Sequence, residues 1–107
     1  MSKYVIFKPV NETLDEVWRY SLDNWGQKKA EEYIEGLFAT MQKAASREIL
    51  WRGLREQTNL EVYFVRYQRH YLFFREFEDD SIGIVSIIHE RRDIVSVLEK
   101  ALRQLDS

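Results

Sequence analysis

EVYFVRYQRHYLFFREFEDDSIGIVSIIH, residues 61–89, is the stretch whose reading decides the fold. It alternates apolar and polar positions and is rich in Val, Ile, Tyr and Phe, side chains that suit a pleated, half-buried surface. Residues 61–67 and 70–78 read as two strands joined through Gln68 and Arg69, a spacing that makes a tight hairpin. Asp79, Asp80 and Ser81 form a second turn. Residues 82–89 make the next strand, almost wholly apolar after Gly83 and therefore expected inside the sheet. The succession predicts an antiparallel meander.

Upstream of it, residues 46–60 mix Arg, Ser, Gly and Asn with Ile49, Leu50, Trp51 and Leu54 in no clean period, which predicts a loop with at most one short turn or strand. Before that loop the period is helical. Ala30, Tyr33, Ile34, Leu37, Phe38, Met41 and Ala45 mark a helix over residues 27–45, and Leu14, Val17, Trp18, Leu22 and Trp25 mark another. Asn11 or Thr13 is expected to cap the earlier helix, Thr13 and Glu16 having capping-box spacing, and Gly26 suits the position that stops it. Two helices with so short a joint make an antiparallel hairpin. Residues 4–8 read as a first strand ended by Pro9, which cannot donate to a ladder. At the other end, Asp93 or Ser96 can open a last helix with Ile94, Val97, Leu98, Ala101, Leu102 and Leu105 as its stripe. The order β-α-α-β-β-β-α predicts an α+β fold: an N-terminal helical hairpin packed on a small twisted antiparallel sheet, with a C-terminal helix.

A chain of 107 residues holds one core, so residues 1–107 are expected to form a single domain. Apolar residues at 45% and charged ones at 32% set it apart from compositions that stay disordered. It has no cysteine, which excludes disulfides, thiolate metal sites and a thiol nucleophile. The apolar runs are strand-length rather than membrane-length, and Lys8 and Pro9 interrupt the N-terminal one as no secretory signal would allow. A cytoplasmic protein is expected. With two histidines, His70 and His89, and His70 at a turn or strand start, no metal cluster is expected, and no cofactor.

The net charge of −2 conceals an asymmetry. Residues 11–36 carry seven acids against three bases, whereas residues 46–75 carry six arginines (Arg47, Arg52, Arg55, Arg66, Arg69, Arg75) against three glutamates (Glu48, Glu56, Glu61), with Arg91 and Arg92 beyond. The second half is the side for an anionic partner. Arg91 and Arg92 follow a buried strand, where a loop is exposed yet held by a rigid scaffold. Arg66 and Arg75 lie on adjacent strands and share a face if the register pairs them; the competing reading is a solvated face balanced by Glu61, Glu76 and Glu78. His89, at a strand end, is placed either to move a proton or to hold the start of the last helix by hydrogen bonds. Trp18, Trp25, Tyr33 and Phe38 fall on helix stripes and are expected in the core rather than as a base-stacking platform. Strand alternation sets Tyr63, Val65 and Tyr67 on one face and Val62, Phe64 and Arg66 on the other; if the second is buried, a tyrosine-rich face stays outside.

LDEVWRYSLDNWGQKKAEEYIEGL (residues 14–37), VRYQRHYLFFR (residues 65–75) and IGIVSIIHERRDI (residues 82–94) together resemble the ParE branch of the ParE/RelE toxin superfamily. The first helix ends in Trp-Gly, Tyr33 and Leu37 have the family's spacing, an arginine-bearing strand leads to His70-Tyr71-x-x-Phe74, and the last strand closes in Ile88-His89-x-x-x-Asp93. The likeness covers roughly residues 4–98. It departs at residues 47–53, where the family commonly has proline and glycine, and at Arg92, where it has methionine.

The resemblance implies the toxin of a bacterial type II toxin–antitoxin pair that poisons DNA gyrase on cleaved DNA without catalysis of its own. Its target surface would be Arg66, Arg75, His89, Arg91, Arg92 and Asp93. A cognate antitoxin would cover the helical hairpin and sheet edge at Trp18, Leu22, Trp25, Tyr33, Leu37, Tyr63 and Tyr67, in a hetero-oligomer that leaves room for a toxin dimer. Two alternatives stand beside it. One is the RelE-type cleavage of mRNA on the ribosome, with His89, Arg75 and Arg91 as catalytic groups, against which the pI of about 5.7 weighs because docking into RNA gains from neutralising phosphates. The other is a non-toxic member that only binds an antitoxin. Neither a membrane nor sequence-specific nucleic-acid binding is expected.

Overall fold

The computed structural model describes residues 3–54 and 61–106. Arg55, Glu56 and the end of the 46–60 loop lie outside the described residues. The chain runs β1 (Tyr4–Ile6), α1 (Lys8–Trp25), α2 (Gln27–Ala45), β2 (Arg52–Gly53), β3 (Tyr63–Tyr67), β4 (His70–Glu76), β5 (Ile82–His89) and α3 (Ile94–Asp106). The fold is α+β, three helices on a five-stranded sheet of order β1-β5-β4-β3-β2.

The sheet is mixed, which corrects the purely antiparallel expectation. The β2-β3, β3-β4 and β4-β5 pairs are antiparallel, but β1 runs parallel to β5, Tyr4 opposite Ile82 and Ile6 opposite Ile84. A parallel pair needs a long crossover, and the helical hairpin with the three following strands supplies one. The short strand in the loop exists as β2, and Trp51 pins that loop: its Nε1 donates to the Ala44 carbonyl at 2.8 Å, and the Arg47 guanidinium lies 4.6 Å from its ring. Arg47 also pairs with Glu76.

α1 starts earlier than a cap at Asn11 or Thr13 would place it. Phe7 stands at the N-cap and Pro9 sits in the first turn, where its missing N–H costs nothing. Thr13 Oγ1 instead donates back to the Pro9 carbonyl at 3.2 Å. Gly26 ends α1 as expected, with φ 88° and its N–H on the Leu22 carbonyl at 3.1 Å. The buried face of α1 is Val10, Leu14, Val17 and Ser21, one turn after another, so Leu22 and Trp25 point outward, 38% and 44% exposed. Phe38 is also exposed, which with Trp25 corrects their assignment to the core.

Both sheet faces are covered. On one, Val10, Leu14, Leu37, Met41 and Ala45 of the hairpin meet Val65, Leu72, Phe74 and Ile84. On the other, Leu98 and Leu102 of α3 meet Phe73, Val85 and Ile88. No bare tyrosine face remains: Tyr67 packs on the hairpin side, 5.1 Å from Tyr33, over Gly36, where any Cβ would strike its hydroxyl. Asp93 opens α3, accepting from the Ser96 N–H at 3.3 Å and the Ser96 hydroxyl at 3.0 Å.

One irregularity positions the site. Phe73 faces Ser86 while Phe74 faces Ile84, so Val85 is an extra residue in β5, a β-bulge. Before it, Ile82 and Ile84 face the hairpin; after it, Ile87 does. The phase has slipped by one, and His89, two residues beyond Ile87, turns to the hairpin side opposite His70.

Candidate functional site

The second half of α1 stands away from the ends of β4 and β5 and leaves a cleft of about 600 Å³. Its floor is the histidine pair, cross-strand partners with ring centroids 5.1 Å apart, edge to face. The Tyr33 hydroxyl lies 2.6 Å from His70 Nδ1. Burial pushes the Tyr33 phenol up, so it keeps its proton, and burial together with the neighbouring His89 lowers His70 to about 4, with Glu90 opposing. At neutral pH the tyrosine therefore donates to a neutral His70, and the remaining ring proton sits on Nε2. His89 Nδ1 accepts from the Arg91 backbone N–H at 3.1 Å, which again leaves Nε2 as the donor. Arg92 N–H donates to the His89 carbonyl at 3.0 Å. His89 thus holds the turn into α3 while facing the cleft.

The walls come from further apart. Tyr20 and Trp25 close one side in an edge-to-face pair 5.9 Å apart, and Trp25 continues to Tyr33 at 5.8 Å. Arg69 and Arg91 line the cleft at the strand ends, and Glu16 lines it from α1. Arg69 shares Glu90 with Arg66, at 3.3 and 2.5 Å. Neither the Arg91 nor the Arg92 side chain makes an ion pair among the described residues, and both are exposed. Ser21, 1% exposed, also lines the cleft, and its Oγ is buried without a hydrogen-bond partner among the described residues.

The proposed target residues are therefore divided. His89 and Arg91 share the cleft, with Arg92 next in the turn, while Asp93 is engaged as a helix cap. The register does not pair Arg66 with Arg75. Arg66 faces Tyr71, with its guanidinium 5.5 Å from that ring, and Arg75 faces Gly83 at the other end of β4. The trio His89, Arg75 and Arg91 is consequently not assembled at one place. Of the antitoxin residues, Leu22, Trp25 and Tyr63 are exposed, Trp18 and Tyr67 partly so, and Tyr33 and Leu37 are buried beneath them. The sequence reading missed Glu16, Tyr20, Ser21 and Arg69 as site residues. A polar Ser21 on the apolar stripe of Val10, Leu14 and Val17 was the available signal.

Among the described residues no group of three His, Asp or Glu could hold a metal ion, and no helix is long and apolar enough to cross a membrane. A helical hairpin on a mixed sheet, with a donor-lined cleft at its open end, is a RelE/ParE-like α+β domain. A family model for the ParE toxin of the type II toxin–antitoxin system, parDE, matches residues 4–94, and the chain belongs to that family. It is also similar to Toxin ParE1 of Mycobacterium tuberculosis, in two strains, each 26% identical over 93 residues that make up 87% of this chain and 94% of the relative.

Proposed function

We propose that this toxin acts in the cytoplasm by holding DNA gyrase on cleaved DNA, and that a cognate antitoxin neutralises it by covering the helical hairpin. The observation that carries the reading is the turn after β5, where Arg91 and Arg92 are exposed without ion pairs among the described residues, next to a capped and therefore rigid helix start. Guanidinium groups so placed suit a phosphate or carboxylate of a target. The antitoxin surface is the exposed apolar set of Leu22 and Trp25 on α1, whose acids outnumber its bases four to two, with Phe38 on the evenly charged α2, which fits a peptide with apolar anchors and some basic side chains. The purified toxin is expected to stabilise a gyrase–DNA cleavage complex, read as linearised plasmid after protein removal, and antitoxin is expected to abolish it.

A ribosome-dependent RNase is the second reading, favoured by two imidazoles side by side in a cleft with two arginines. Against it, His70 titrates near 4 and has Nδ1 engaged by Tyr33, so it is a weak base at neutral pH. Primer extension that shows toxin-dependent cuts inside codons would move the assignment to this branch.

A further inference from the structure

The cleft between α1 and the β4-β5 ends contains a group that the folding of the chain alone leaves unexplained. Ser21 is on a helix, where a serine hydroxyl ordinarily turns back to the carbonyl four residues earlier. Its Oγ makes no such bond, although the side chain is almost fully buried and lines the cleft. A buried hydroxyl without a partner destabilises the fold that contains it, so the position is explained by a partner that arrives from outside.

The rest of the lining states what chemistry that partner has. The Nε2–H groups of His70 and His89 are left over once each Nδ1 is engaged, and the Arg91 guanidinium is unpaired among the described residues. These are all donors, and their side chains line the same cleft at the strand ends. The opposite wall is aromatic, with Trp25 44% and Tyr20 61% exposed. Glu16 is the acceptor among them. The volume, about 600 Å³, is that of a small-molecule site.

We infer that this cleft binds a nucleotide, its phosphate held by Arg91, His70 and His89, its base stacked on Trp25, and its sugar hydroxyl or base amine donating to Glu16. Ser21 supplies a further hydrogen bond. An acidic peptide would meet the donors equally well, but its carboxylate side chains have no plane to lay on Trp25 and no donor for Glu16 beyond the backbone. The nucleotide is either free or part of a single strand, and the chemistry recognised is the same. The inference is independent of which enzyme the toxin attacks.

The test titrates the purified chain with adenosine 5′-monophosphate, with inorganic phosphate and with a 5′-phosphorylated tetradeoxyadenylate, following tryptophan fluorescence and the histidine ring nitrogens by NMR. The monophosphate is expected to saturate and to shift both rings, with inorganic phosphate weaker by about tenfold or more, because stacking of the base is lost. Trp25→Ala and Arg91→Ala should each weaken the nucleotide by about tenfold. Ser21→Ala should weaken it by about threefold to tenfold while raising Tm, since it removes the orphaned hydroxyl; a serine of purely structural importance would lower Tm instead. Tighter binding of the tetranucleotide than of the monophosphate would assign the site to a strand, and equal binding to the free nucleotide. Absence of saturable binding by both overturns the inference, as does nucleotide binding indifferent to Trp25→Ala and Arg91→Ala. Tighter binding of N-acetyl triglutamate than of the monophosphate overturns it in favour of a peptide site.

Discussion

The interface between hairpin and sheet has two ends, and they are built differently. At the α2 end, Leu37, Met41, Ala44 and Ala45 close on Phe74 and Ile84, each fully buried, with Trp51 sealing the edge through its bond to Ala44. At the α1 end the same two layers part over His70 and His89, and the residue on the buried stripe is Ser21 rather than an aliphatic. One end gains stability from apolar contact; the other exchanges it for donors. On the proposed reading, stability and recognition are separated along a single layer, and a substitution should disturb one or the other according to the end it falls in.

The largest effect is expected at the closed end. Leu37→Ala leaves a cavity among side chains that cannot collapse onto it and should cost about 2–5 kcal/mol, measured by urea unfolding. Antitoxin binding per folded molecule should hardly change, since Leu37 has no exposed surface. A loss of antitoxin affinity at full folding would show that the two ends are not separable.

An intermediate effect is expected from pH at the open end. The His70 pKa is about 4 in the folded chain, below the ordinary value of 6.5, so between those values the unfolded chain binds the extra proton. Stability contributed by neutral His70 is present above pH 6.5 and is lost as pH falls towards 4, by roughly 1–2 kcal/mol once the partial exposure of the ring is allowed for. His70→Gln should flatten that slope in urea unfolding from pH 7 to 4. An unchanged slope would mean that other groups carry it. Tyr33→Phe should cost about 1 kcal/mol by removing the donor to Nδ1.

The smallest structural effect belongs to the rim. Arg91→Glu with Arg92→Glu should alter stability by no more than about 0.5 kcal/mol, because neither side chain has an ion-pair partner among the described residues. Growth arrest on induction should nevertheless disappear, while antitoxin affinity falls little. A double variant that stays toxic and loses its antitoxin would exchange the two proposed surfaces.

The closed end was the legible one. Period-four spacing gave Leu37, Met41 and Ala45, period-two spacing gave β3 and β4, a nearly unbroken apolar run gave β5, and Gly26 marked the joint, because each follows from local geometry. What was illegible depends on distant pairing. Nothing in Tyr4 to Ile6 announces a parallel partner at Ile82, and Pro9 reads equally as the end of a strand or the first turn of a helix. The cleft was half seen: His89 and Arg91 were singled out, but their company of Glu16, Tyr20, Ser21, Arg69 and His70 comes from two elements far apart in the chain. That Arg75 lies apart from them was hidden for the same reason, since strand membership alone does not say which end of a strand meets which neighbour.

The extra residue at Val85 has a consequence for how this strand tolerates insertion and deletion. Removing Val85 would restore strict alternation without moving any side chain across the sheet: Ile84 and Ile87 would stand two apart, so Ile87 and His89 would keep the hairpin side and Ile88 the α3 side, while the α3 face would lose Val85. A one-residue deletion at the bulge therefore spares the histidine, whereas removing Ile88, beyond the bulge, would set His89 next to Ile87 and turn it under α3. The side that His89 takes is set by its spacing from Ile87, and the bulge upstream takes up the slack in the count of residues.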